Sequence, residues 1–90
     1  MWIINNNNKS IEYNGESICI PRKEFMIIAY FQENPNRIIN RQELLKNIWG
    51  DDIVVGERTI DVHIRRIRKR FPDAPITTRK CYGYMWKSLQ

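Results

Sequence analysis

Residues 57–71 read Glu57-Arg58-Thr59-Ile60-Asp61-Val62-His63-Ile64-Arg65-Arg66-Ile67-Arg68-Lys69-Arg70-Phe71. Ile60, Ile64, Ile67 and Phe71 recur at helical spacing and form one apolar stripe. Arg58, Arg65, Arg66, Arg68, Lys69 and Arg70 occupy most of the remaining surface. Pro72 bounds the segment, because its ring cannot continue a helix. One face is thus made for a core and the rest for an anion. The stripe is narrow, β-branched and free of Trp, and so small a domain needs it inside. That argues against a helix lying on a membrane. An α-helix fits the major groove of duplex DNA, where flanking cations reach phosphates on both sides. Arg can grip guanine bidentately, Asp61 can accept from the cytosine amino group, and Val62 can touch a thymine methyl. Asp61 and Val62 lie in the N-terminal half, where a recognition helix meets base edges. The plainer alternative is a solvated, salt-bridged helix.

Working back from this helix, residues 50–56 form a loop with an apolar centre, Ile53-Val54-Val55. A helix over about 41–49 precedes it, carrying Leu44, Leu45, Ile48 and Trp49. Asn40 is its N-cap, with Glu43 in the capping-box position. Asn34-Pro35-Asn36 ends an earlier helix over about 21–33, opened by Pro21 and showing Phe25, Ile27, Ile28, Ala29 and Phe31 as a broad apolar face. Residues 1–20 alternate as short strands. Asn14-Gly15 joins two of them, the dipeptide a type I′ hairpin turn favours. Forward from the basic helix, residues 76–89 read as two strands around Cys81-Tyr82-Gly83. The order is sheet, three helices, hairpin. We expect a single α+β domain over 1–90: a winged helix-turn-helix with an N-terminal antiparallel sheet and a C-terminal wing.

Charge agrees with the helix. The net charge is +5 over 90 residues. Residues 1–40 carry four basic and four acidic side chains, whereas 41–90 carry eleven and six. This asymmetry suggests an anionic partner, nucleic acid before a membrane surface or an acidic protein. The two cysteines, Cys19 and Cys81, form no metal-ligand pattern with the single His63, and no disulfide framework. No cofactor is expected. No apolar run is long enough to span a bilayer, and Met1-Trp2-Ile3-Ile4-Asn5 is not a secretory leader, so the expected location is cytoplasmic. The scattered carboxylates suggest no catalytic cluster, so the expected role is binding. The alternative role is a protein-interaction winged helix using its basic face for an acidic partner.

The sequence resembles the OmpR/PhoB-type effector domain of two-component response regulators over nearly its whole length. Ile20-Pro21-Arg22-Lys23-Glu24-Phe25 is similar to that family's LTxxEF stretch. Arg41 to Leu45, followed by Ile48-Trp49-Gly50, is similar to its second helix, and Arg58 to Lys69 closely matches its RTVDVHIxxLRxK helix. Thr78 to Tyr84 resembles its wing. The resemblance implies base contacts from Thr59, Asp61, Val62 and Arg66. It implies phosphate contacts from Trp49, Arg58, His63, Arg65, Arg68, Thr78 and Tyr84, and minor-groove approach by Lys80. It also implies an RNA polymerase-facing loop over Asp51, Asp52, Ile53, Val54 and Val55, and homodimers on direct repeats of double-stranded DNA. In the family a phosphorylatable receiver domain usually precedes this one.

Two residues depart from the family pattern. Pro21 replaces a Thr N-cap, and Cys81 replaces a wing Gly, so the wing turn is expected to differ or Cys81 to adopt an uncommon backbone conformation.

Overall fold

The computed structural model describes residues 2–50 and 55–88. Strands β1 (Trp2–Asn5), β2 (Ser10–Tyr13) and β3 (Glu16–Cys19) form an antiparallel sheet in that order. Tyr13 pairs with Glu16 across a two-residue turn, in which Asn14 and Gly15 both take positive φ, 52° and 85°. That is the twist a type I′ hairpin requires. Ile11 is fully buried, and Ile4, Tyr13 and Ile18 pack around the same core.

Helix α1 runs Arg22–Glu33. Pro21 sits one position earlier than the sequence suggests, as the N-cap, with extended ψ (144°) and no side-chain cap bond. Its carbonyl still accepts from the Phe25 amide at 3.0 Å. Phe25, Ile27, Ile28 and Phe31 are buried because α1 packs against α3 (Arg58–Arg70), β5 (Gly83–Trp86) and the turn after α2. Glu24 is buried on the same helix, its carboxylate 3.6 Å from Arg70 Nε.

Helix α2 (Arg41–Leu44) continues as one π-helical turn, Leu45–Trp49. Asn40 caps it through Oδ1, which accepts from the Glu43 amide at 2.7 Å. The Glu43 carboxylate is taken by Arg37, at 2.6 and 3.1 Å, and by the Tyr30 hydroxyl. The reciprocal half of the expected capping box is therefore replaced by a tie between α1, the loop and α2. At the other end the Gly50 amide is shared between the Leu45 and Lys46 carbonyls, both at 3.1 Å, and Gly50 leaves the helix at φ 90°.

In α3 the stripe Ile60, Ile64 and Ile67 is fully buried, with Phe71 just beyond the C-terminus. Phe71 leaves helical geometry at φ −127°, one residue short of the expected end, since a residue before proline is disfavoured in the α region. Strands β4 (Ile76–Arg79) and β5 pair antiparallel around a turn at residues 80–82. Their base is joined to the segment before α2: Ile39 and Tyr84 exchange backbone hydrogen bonds of 2.8 and 3.0 Å. Ile76, Tyr84 and Trp86 close the core from this side.

Candidate nucleic-acid interface

Burying the isoleucine stripe of α3 turns its other face outward. Val62 is 40% exposed, and Arg58, Arg65, Arg66, Lys69 and Arg70 are exposed around it. Among the described residues, Arg65 and Arg66 form no ion pair. Thr59 and Asp61 are half-buried at the N-terminal end of this face.

His63 and Trp49 meet where α3 crosses the π-turn. Their rings stand edge to face, centroids 5.2 Å apart. His63 Nδ1 lies 2.8 Å from the Thr59 carbonyl oxygen, which can only accept, so Nδ1 carries the proton and Nε2 is left for an outside partner. Lys23, from the first turn of α1, sits 5.1 Å from the Trp49 ring centre and donates to the Ile48 carbonyl at 3.2 Å. Lys23 thereby joins the cationic rim of the site. Nothing in its local sequence distinguishes it from other surface lysines.

Four of the expected DNA-contacting side chains are engaged inside the protein. Asp61 Oδ1 accepts from Arg41 Nε at 2.7 Å and from the Tyr84 hydroxyl at 2.5 Å. Burial alone would raise the Asp61 carboxyl, but the Tyr84 and Arg41 hydrogen bonds and the Arg41 charge bring it below the usual aspartate value. Burial, then the bond to Asp61, pushes the Tyr84 phenol up, and the bond to Asp61 raises Arg41. Arg68 Nη2 donates to the Ile76 carbonyl at 3.0 Å and to Thr78 Oγ1 at 2.8 Å. The buried Tyr84 ring has a guanidinium carbon 5.7 Å from its centre on account of Arg41 and another at the same distance from Arg68. These contacts bind the wing to α3 and α2. Arg41 is the functional candidate that local sequence did not single out.

The wing tip is left exposed. Arg79, Lys80, Cys81 and Tyr82 all face solvent, Tyr82 at 71% exposure. Cys81 takes φ 73°, the left-handed conformation that a glycine in its place would adopt without strain. Of the loop expected to face polymerase, Asp51, Asp52, Ile53 and Val54 lie outside the described residues, and Val55 is half-buried. Among the described residues no group of His, Cys, Asp or Glu could hold a metal ion, and no helix is long and apolar enough to cross a membrane.

A helix-turn-helix whose second helix is basic outward, flanked by a tethered hairpin with cations at its tip, defines a winged-helix DNA-binding effector domain. The sequence profile of the family "Transcriptional regulatory protein, C terminal" matches residues 15–86, and the chain belongs to that family, the OmpR/PhoB-type effector domains. It is 44% identical over 77 residues to the aerobic respiration control protein ArcA of Escherichia coli, covering 84% of this chain and 32% of ArcA. It superposes on DrrB, an OmpR/PhoB homologue of Thermotoga maritima, with TM-score 0.82 and 32% identity, over 97% of this chain and 42% of DrrB. The DNA-binding domain of Klebsiella pneumoniae RstA, solved in complex with the RstA box, matches with TM-score 0.83 and 26% identity, over 96% of this chain and 90% of that one. The chain spans about a third of the length of the curated relatives it matches.

Proposed function

We propose that this chain reads a promoter sequence in duplex DNA, with α3 in the major groove and the β4–β5 wing at the minor groove. The observation that carries the reading is the outward face of α3, where Val62 and Arg66 stand exposed and where, among the described residues, neither Arg65 nor Arg66 forms an ion pair. Arg66, Val62 and Thr59 read bases, and Asp61 reads them only through whatever capacity its bonds to Arg41 and Tyr84 leave. Arg58, Arg65, His63 Nε2 and Trp49 face phosphates, with Arg68, Thr78 and Tyr84 fixing the wing that delivers Lys80. Two copies occupy direct repeats, and the segment Asp51–Val55 addresses RNA polymerase in a cytoplasmic regulator.

The reading separates two arginines on one helix face. Arg66→Ala costs about 1–3 kcal/mol on the cognate duplex and relaxes base preference. Arg65→Ala weakens all duplexes alike and lowers the salt slope by about one. Equal loss on cognate and scrambled DNA from both substitutions would remove the base-reading assignment.

A further inference from the structure

A hairpin of two four-residue strands is marginal by itself in water, so the direction in which this wing points is set by what it is tied to. Besides the Asn36–Trp86 backbone bond and the Phe31–Trp86 ring contact at its base, three ties bear on it. The backbone pair Ile39–Tyr84 holds the base of β5. Arg68 grips β4 through the Ile76 carbonyl and Thr78. Asp61, on the base-facing half of α3, grips β5 through the Tyr84 hydroxyl while the same carboxylate oxygen takes Arg41 from α2.

The third tie is unlike the other two. It joins both helices of the helix-turn-helix to the wing at a single oxygen atom, with two charge-assisted bonds. Thr78 and Tyr84 are opposite each other in the β4–β5 register, so Arg68 and Asp61 hold the hairpin at the same level from its two strands. The turn lies two to three residues beyond that level, about 7–10 Å at the usual rise of a strand. A tilt of about 15° at the clamp therefore moves the turn by about 2 Å, enough to break a hydrogen-bond contact.

We infer that Arg41, together with Asp61 and Tyr84, is a positioning group that sets the angle between recognition helix and wing, so that Lys80 is held at a fixed place relative to α3. This rests on the DNA-reading function proposed above, and it assigns Arg41 and Tyr84 to aiming the wing before they serve any phosphate.

Two measurements on the chain test it, using Tyr84→Phe, which keeps the buried ring and removes only the hydroxyl, and Arg41→Gln. The first uses residual dipolar couplings and 15N relaxation of the unbound protein. The inference predicts that amides 77–83 lose order and change mean orientation in both variants, while α1 and α3 amides stay as in the parent. A wing as ordered and oriented as the parent's overturns it. The second is a double-mutant cycle with Lys80→Ala on a duplex the parent binds specifically. If Lys80→Ala alone weakens binding about tenfold, it weakens Tyr84→Phe less than about threefold, because the untied wing no longer delivers Lys80. Strict additivity means that Tyr84 merely stabilises the fold, and refutes aiming. If Lys80→Ala has no effect even in the parent, the minor-groove assignment fails, and the dipolar couplings then decide the clamp without it.

Discussion

Gly83 lies so close to the backbone before α2 that one added methyl group must unseat the wing. Its φ of 135° belongs to a region essentially reserved for glycine. A Cβ there would stand 2.2 Å from the Ile39 carbonyl oxygen, 2.8 Å from Asn40 Cα and 2.9 Å from the Ile39 carbonyl carbon. All three are backbone atoms, so no side-chain rotation relieves the clash. The wing must lift from residues 39–40, and the two Ile39–Tyr84 backbone bonds, 2.8 and 3.0 Å, are lost. At about 1 kcal/mol for each bond and about 1–3 kcal/mol for the backbone conformation, Gly83→Ala destabilises by about 3–5 kcal/mol. In a domain of 90 residues that lowers Tm by at least about 12 °C. Gly15→Ala is the matched control: its φ is 85°, but nothing lies within 4 Å of the added Cβ. It costs only the conformational part, about 1 kcal/mol. Urea and thermal unfolding of both variants give the comparison. Equal destabilisation of the two, or a Gly83→Ala loss below about 1 kcal/mol, would refute the claim that the wing is seated against residue 39.

Other substitutions probe other parts of the structure. Cys81→Gly relieves a left-handed backbone at φ 73° and raises stability by up to about 1 kcal/mol in the same unfolding assay. Arg70→Ala leaves the buried Glu24 carboxylate, whose Oε1 has no hydrogen-bond partner, without its cation. It destabilises by about 1–2 kcal/mol, whereas Lys69→Ala on the exposed side of the same turn is near neutral. Acid lowers stability with a defined sign. The Arg37 hydrogen bond holds Glu43 below its ordinary value of 4.5, and Asp61, despite burial, lies below 3.8 through Tyr84 and Arg41. A carboxyl depressed in the folded state contributes stability above its unfolded pKa and loses it as pH falls through the folded one. The loss therefore begins below about pH 4.5, and Glu43→Gln flattens it.

Local patterns made much of the fold legible. The spacing of Ile60, Ile64, Ile67 and Phe71 determines which face of α3 is buried, and hence which face reads outward. Asn14-Gly15 fixed the hairpin through a backbone requirement that few residues meet, and Asn40 capped α2 as its side chain dictates. What stayed hidden depends on meetings between distant residues. Arg41 and Asp61 are 20 positions apart, and Tyr84 is 23 from Asp61. A carboxylate in a recognition helix looks like a base acceptor until its neighbours across the fold are known. Glu43 shows the same competition: a local capping pattern yields to Arg37, whose charge outbids an uncharged amide for the carboxylate. Pro21 shifted the start of α1 by one residue, and no local pattern announced the π-turn at Leu45–Trp49.

The central claim is that the outward face of α3 reads sequence, beyond attracting phosphate. Selection from a randomised duplex pool, sequenced and followed by affinities at two salt concentrations, tests this directly. The expected result is enrichment of a short motif repeated in direct orientation, with affinity for it falling steeply as salt rises. Salt-sensitive binding with no enriched motif would contradict it, because the basic helix would then supply charge alone.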